Sequence, residues 1–337
     1  MPKSKPKLAM YWAASCGGCE IALANIHEVL LELDQHFDFM FCPCLLDTKR
    51  RDILALDDAA IFLTLFNGAL RTHENLEMAQ LLRQKSQVLV AFGACAASGG
   101  VPALANQHGL QDVLDTVYRT APGLDNPDQT VPGTSSQVAC GELTLPAFLP
   151  CVQALHEAVT VDYTLPGCPP EPLQIIAVIR QVVLVLSGAA WPPAGAWLGC
   201  GQRAVCDECP RERRGVLASR LVRNFEAIPQ DGWCLAEQGF ACVGAATRNG
   251  CKALCPAVNM PCTGCYGTLD RFADPGAAAL TALAAVIDPC YTHGMDEATW
   301  HKNMRTALSG VADPLGTFYR YSLLDSVSAG STDKASS

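Results

Sequence analysis

Hydrophobic and polar positions in the first half of the chain switch between two periods. Leu8 to Ala14 reads as a strand, followed by a Cys-Gly-Gly-Cys turn and a helix from about Glu20 to Leu33. On that helix Ile21, Ala24, Val29 and Leu33 fall roughly on one face. Phe37 to Leu46 reads as a second strand. Ala59 to Phe66 is a continuous apolar run ending at Asn67-Gly68, the pattern of a parallel strand buried on both faces. Glu74 to Gln84 reads as a helix, and Gln87 to Phe92 as another buried strand that stops at Gly93-Ala94-Cys95. A loop rich in Pro, Gly and Asp follows. A helix near Leu149 to Glu157 then leads to a strand near Val159 to Leu165, which ends at Pro166-Gly167-Cys168-Pro169-Pro170. Alternation of this kind predicts an α/β fold, a doubly wound parallel sheet with helices on both faces.

From about Ala189 the pattern changes. Strand periodicity disappears, and Gly and Pro become frequent. Cysteines crowd the stretch from Cys200 to Cys290. This predicts a first domain over 1–190, a loop- and helix-rich cysteine domain over 191–325, and a flexible tail over 326–337. A small segment without a strong apolar core needs metal staples. The longest apolar stretch, Leu173 to Leu198, is broken by Arg180, Gln181, Pro192 and Pro193. It reads as a buried helix followed by a loop, not a transmembrane segment.

Composition sharpens this picture. The chain has 337 residues, half of them hydrophobic, so a sizeable core is expected and wholesale disorder is excluded. The net charge of −9 argues against a nucleic-acid partner, which requires a basic surface. The unusual count is 18 cysteines. Disulfide scaffolds are usually short and secreted, which counts against disulfides at this length. The basic start, Lys3, Lys5 and Lys7, is followed by neither a proper apolar core nor a cleavage site, so a cytoplasmic location with reduced thiols is expected.

In open parallel sheets, ligands sit beyond the carboxyl ends of the strands. Cys16, Cys19, Cys95 and Cys168 all follow predicted strand ends, so three loops would bring four thiols to one sheet edge. Iron–sulfur clusters take four thiolates each, often two from a C-x2-C pair. A second set is Cys206, Cys209, Cys234 and Cys242, and a third is Cys251, Cys255, Cys262 and Cys265. Structural zinc is the competing reading for such pairs. Eight thiols between Cys206 and Cys265, with no histidine among them, read better as two four-iron clusters. The division between the second and third sets is less fixed than their membership. No C-x2-C is followed by His, so c-type haem is excluded.

Three motifs carry a resemblance over nearly the whole chain. They are Ser15-Cys16-Gly17-Gly18-Cys19-Glu20, Gly93-Ala94-Cys95 with Gly99-Gly100, and Pro166-Gly167-Cys168-Pro169-Pro170. The chain resembles the small, electron-transferring subunit of nickel–iron hydrogenases. Its first half also resembles the small cluster subunit of respiratory complex I, which carries adjacent cysteines that this chain lacks. The resemblance implies a flavodoxin-like first domain. It also implies three 4Fe-4S clusters: a proximal one on the first set, a medial one on Cys251, Cys255, Cys262 and Cys265, and a distal one on Cys206, Cys209, Cys234 and Cys242. Cys206 stands where periplasmic relatives have a histidine, and Cys255 supplies a ligand that they replace with proline. Asn67-Gly68-Ala69-Leu70-Arg71-Thr72, with Glu74 and Asn75, is similar to the cytoplasmic methyl-viologen-reducing, heterodisulfide-reductase-linked group.

The implied partners are a nickel–iron large subunit, which holds the hydrogen site, and a downstream acceptor subunit of flavin, iron–sulfur or heterodisulfide-reductase type. No catalytic residue is expected in this chain. Three alternatives stand beside this reading: a hydrogen-sensing pair, a quinone-linked complex I-like module, and a zinc scaffold.

The remaining chemistry has blander readings. Asp288-Pro289-Cys290 has His293 where a large-subunit nickel motif would have its second cysteine, so nickel ligation is not expected here. Cys42, Cys44, Cys140, Cys151, Cys200 and Cys290 are expected to pack as small hydrophobes, with a redox or fourth-cluster role as the alternative. His27 and His36 read as structural or surface groups. Glu20 reads as a helix N-terminal charge, or as a group touching a partner's proton path. Arg211, Arg213 and Arg214 read as a solvated charge run that could steer an acidic redox partner. Asp47 is assigned no role.

Overall fold

The computed structural model describes residues 5–288 and 294–326. The first half runs β1 (Lys7–Trp12), α1 (Gly18–Ala24), α2 (Val29–His36), β2 (Asp38–Phe41), α3 (Arg50–Leu54), β3 (Ile61–Asn67), β4 (Leu70–Thr72) and α4 (His73–Lys85). It continues with β5 (Ser86–Phe92), α5 (Ala94–Ser98), α6 (Leu110–Asp115), β6 (Ser135–Val138), β7 (Gly141–Thr144), β8 (Phe148–Gln153), α7 (Leu155–Ala158), β9 (Tyr163–Leu165) and α8 (Pro172–Leu186). Five strands form one parallel sheet in the order β2-β1-β3-β5-β9. This is the flavodoxin-like doubly wound order.

Strand alternation divides the core between the two sheet faces. Leu8 and Met10 of β1 pack with Leu23, Ile26, Phe37, Phe92 and Ile175 under α1, α2 and α8. Ala9 and Tyr11 face the other way, packing with Phe66, Met78, Leu82, Leu89 and Leu155 under α4 and α7. Each large side chain removed from water contributes about 1.5–3 kcal/mol.

Three elements differ from the sequence expectation. The single helix from Glu20 to Leu33 is two helices, interrupted at His27, whose φ is 51°. The buried stripe is Cys19, Ala22, Leu23 and Ile26, while Ile21 is 62% exposed. The second strand stops at Phe41, because the chain turns through Cys42–Leu46 around Pro43. The segment expected to be a helix from Leu149 is β8, paired antiparallel with β4, followed by the four-residue α7. Pro150 has no amide hydrogen, which suits an edge strand better than a helix interior.

Beyond α8 the described residues form only isolated bridges and short helices: α9 (Leu254–Ala257), α10 (Pro275–Ala284), α11 (Glu297–Ala307) and α12 (Pro314–Phe318). Asp274, Asp296 and Asp313 cap the last three, each accepting a backbone N–H three residues on. The small core here is built from Val205, Leu221, Val243, Leu283 and Phe318, and it includes the buried Cys262. Side-chain hydrogen bonds help tie this region to the first half. The Tyr266 hydroxyl donates to Gln174 of α8 at 2.8 Å, and the Ser98 hydroxyl of α5 donates to the Tyr321 carbonyl at 2.7 Å. Among the described residues no helix is long and apolar enough to cross a membrane. Pro289, Cys290 and His293, and the tail beyond Ser326, lie outside the described residues.

Candidate metal centres

The first set gathers at the carboxyl edge of the sheet. Cys16 and Cys19 follow β1, Cys95 lies in the first turn of α5 after β5, and Cys168 follows β9. Backbone bonds fix these loops to one another. Gly93 N–H donates to the Leu165 carbonyl at 2.8 Å and Ala94 N–H to the Gly167 carbonyl at 2.7 Å. At the end of β3 the Asn67 side-chain amide donates to the Ser15 hydroxyl at 3.0 Å and to the Glu20 carboxylate. One oxygen of Glu20 and the Asn67 Oδ1 are buried without a hydrogen-bond partner among the described residues.

Glycine is required at two places here. A Cβ on Gly93, at φ 89°, would lie 2.5 Å from the Cys19 sulfur. One on Gly100 would lie 3.0 Å from the Cys95 backbone. The four thiols lie within electrostatic reach of one another. Burial pushes the Cys19 thiol well up, and Glu20, Cys95, Cys168 and Cys16 push the same way. Burial raises Cys95 to about 12, with Cys168 and Cys16 adding to it. Four thiolates packed this closely need compensating positive charge, which an iron–sulfur core supplies.

The second set surrounds a cavity of about 170 Å³ lined by Cys206, Cys209, Cys234 and Cys242 with Arg211, Arg213 and Leu235. Burial raises Cys206 to about 11, and the nearby Cys242, Cys234 and Cys209 contribute to the rise. In the third set, Cys265 is raised to about 12, mainly by burial, with Cys168, Cys251 and Cys255 as neighbouring charges. Cys262 lies between sets: its N–H donates to the Cys242 sulfur at 3.3 Å, and its own buried thiol, which donates to the Thr247 hydroxyl at 3.7 Å, is pushed up by burial with Cys242 and Cys265 adding to it. The three sets are therefore contiguous. Cys168 meets Cys265, and Cys262 meets Cys242. Tyr321 stands against both Cys168 and Cys265. Among the described residues no three His, Cys, Asp or Glu side chains close on a point fit for a single ion.

Two site residues escape or mislead a reading of the sequence. Glu208, between Cys206 and Cys209, accepts from Gly250 N–H at 3.0 Å and Ala253 N–H at 3.3 Å, in the loop that carries Cys251. An acidic residue inside a C-x2-C pair is its only signal. Arg211 is not a solvated charge. It donates to the Pro256 carbonyl at 2.6 Å, to the Trp233 carbonyl at 2.8 Å and to the Asn259 side chain, stitching the second set to the third. Arg214 lies over the Trp233 ring at 5.3 Å.

The leftover cysteines depart from the expected core packing. Of those described, only Cys42 is buried, Cys200 is intermediate, and Cys44, Cys140 and Cys151 are exposed. Cys290 lies outside the described residues. His27 and His36 are exposed, and Asp47 pairs with Lys49 at 2.5 Å.

Comparison with known proteins agrees with this architecture. Residues 16–182 match the family described as NADH ubiquinone oxidoreductase, 20 Kd subunit. The chain is 36% identical over 287 residues to the iron-sulfur subunit of the F420-non-reducing hydrogenase of Archaeoglobus profundus, covering 83% of this chain and 88% of that protein. The like-named subunit of the F420-non-reducing hydrogenase of Methanothermobacter marburgensis is 32% identical, over 95% of this chain and 94% of its own length. A chain of the oxidised recombinant NiFeSe hydrogenase from Desulfovibrio vulgaris Hildenborough shares the fold with a TM-score of 0.50 at 17% identity, covering 79% of this chain and 94% of that chain. A parallel sheet with thiol-bearing loops at one edge, continued by a cysteine-rich region, is the architecture of hydrogenase small subunits, oxidoreductase components that act on H2. Within that class the chain belongs to the family of iron-sulfur subunits of F420-non-reducing hydrogenases.

Proposed function

We propose that this chain is the electron-relay small subunit of a cytoplasmic nickel–iron hydrogenase of the methyl-viologen-reducing type. In this reading it pairs with a large subunit that holds the hydrogen site, and passes electrons to a downstream acceptor subunit. Cys16, Cys19, Cys95 and Cys168 hold a proximal 4Fe-4S cluster. Cys251, Cys255, Cys262 and Cys265 hold a medial one, and Cys206, Cys209, Cys234 and Cys242 a distal one. The first unit, 1–190, carries the proximal cluster, and 191–325 carries the other two. When bound, such clusters supply one-electron redox chemistry whose potential follows ligand type, hydrogen bonding and burial.

The observation that carries the reading is the contiguity of the three thiol sets, Cys168 against Cys265 and Cys262 against Cys242. The protein's own contribution is positional. Gly93 and Gly100 leave room for the sulfurs, Glu208 and Arg211 fix the second set to the third, and burial keeps water from Cys262. The test uses the cluster-loaded chain alone and in complex with the large subunit. The chain alone gives no H2-dependent viologen reduction, whereas the complex does, and H2 bleaches the visible absorbance of the small subunit. Hydrogen uptake by the isolated chain would overturn this division of labour.

A further inference from the structure

Cys42 and Cys44 belong to none of the three thiol sets, yet among the described residues they are the tightest sulfur pair outside them. The chain leaves the edge strand β2 at Phe41 and turns at once. Leu45 N–H donates to the Cys42 carbonyl at 2.9 Å and Leu46 N–H to the same carbonyl at 2.8 Å. Pro43 occupies the second position of this turn, where its fixed φ is favourable. The turn brings residues two apart together, and the Cys42 and Cys44 sulfurs stand 3.4 Å from each other. The two thiols differ sharply in access. Cys42 is 0% exposed and packs in the core under α1 and α2, while Cys44 is open to solvent.

We propose that Cys42 and Cys44 form a reversible dithiol–disulfide couple whose co-reactant is a low-molecular-weight disulfide. The Cys44 thiolate attacks one sulfur of that disulfide. A mixed disulfide forms, the small-molecule S–S bond breaks, and one thiolate leaves and takes up the Cys44 proton. Cys42 then gives up its proton and attacks the Cys44 sulfur. The protein disulfide forms, the mixed bond breaks, and the second small thiolate leaves with the Cys42 proton. Two protein thiols are oxidised and one small disulfide is reduced to two thiols. The roles follow from access: Cys44 meets the co-reactant, and Cys42, shielded from it, meets only Cys44. Burial raises the Cys42 thiol to about 12, with the hydrogen bond it donates to the Cys44 sulfur adding to this, so Cys42 resolves rather than initiates. Cys140 at the tip of the β6–β7 hairpin and Cys151 on β8 are exposed thiols that serve as internal controls.

The test uses the cluster-loaded complex, treated without oxygen with oxidised glutathione, quenched with an alkylating agent and cleaved before aspartates. The peptide from Asp38 to Leu46 carries both cysteines and no other. In the wild-type chain this peptide becomes lighter by two hydrogens, holds no glutathione and escapes alkylation, while Cys140 and Cys151 keep glutathione. Cys42→Ser traps one glutathione on Cys44. Cys44→Ser leaves Cys42 reduced and alkylated only after denaturation. Iron content, unchanged throughout, shows that cluster ligands were not the source of the disulfide. Persistent glutathione on wild-type Cys44 overturns the proposal, and so do a reduced Cys42 and Cys44 beside modified Cys140 and Cys151.

Discussion

The two halves of this chain are stabilised by different means. The sheet half buries Phe37, Phe66 and Phe92 almost completely, together with Met10, Ile61, Leu82 and Leu89, on both faces of one sheet. Its first thiol set lies at the border of a core built mostly from large apolar side chains, with Cys19 alone of the four buried inside it. In the other half the thiols are part of the core. Cys262 is buried within it, and Cys209, Cys242 and Cys251 pack against it. Short helices and isolated bridges surround these sulfurs, with no extended sheet among the described residues. On the proposed reading, one region presents a metal centre on a finished core, and the other is organised around its own thiol sets. The contrast follows from size and regularity: a small segment without strand periodicity needs staples where a larger core does not.

The most drastic way to break this comparison is to remove iron and sulfide with chelator and oxidant. Residues 200–288 are then expected to lose amide-exchange protection, while β3 and β5 keep theirs. Uniform loss across both halves would erase the distinction. Acid tests the same contrast more gently. In the metal-free fold, burial holds Cys206 near 11 and both Cys95 and Cys265 near 12, so these thiols are protonated at neutral pH. Cluster binding expels those protons. Affinity therefore rises with pH towards that range and falls with acid, by up to on the order of tenfold per pH unit for each ligating thiol. On acidification, amide protection in the second half should fall together with visible cluster absorbance, before sheet protection changes. If the sheet opens first, the account is wrong.

Phe66→Ala probes the opposite side. Emptying a fully buried position in the sheet costs about 3–5 kcal/mol, read by denaturant titration. The iron bound by the second half should stay constant in the variant under native conditions. Glu208→Ala is the finest probe. Losing an outer hydrogen-bond partner of a metal site typically costs about 10–100-fold in affinity, so chelator should strip the second half of this variant about 10–100-fold more readily. An unchanged chelation profile would reduce Glu208 to a loop tie.

What is legible in the sequence follows the same division. β3 and β5 are plain because strands buried on both faces are continuous apolar runs. The loops carrying Cys16, Cys19, Cys95 and Cys168 are plain because strand ends and glycines mark them. β8 reads wrongly as a helix because Leu149 and Val152, three apart, mimic a helical stripe, whereas pairing with β4 decides the matter. The break at His27 leaves no periodic signal, since Ile26 and Val29 remain buried on either side of it. In the cysteine-rich half, two C-x2-C pairs, one C-x3-C pair and the density of thiols mark the candidate ligands. The bond from Cys262 to Cys242, the reach of Glu208 to Gly250 and the anchoring of Arg211 are not marked in this way. They arise from aperiodic loops, whose contacts no repeat encodes.

The central claim is that twelve of the 18 cysteines form three four-thiolate iron–sulfur sites. Iron and acid-labile sulfide analysis of the anaerobically purified chain tests it most directly. The account predicts about twelve of each per chain, in line with three four-iron clusters. Zinc without sulfide, or about four of each per chain, would contradict it.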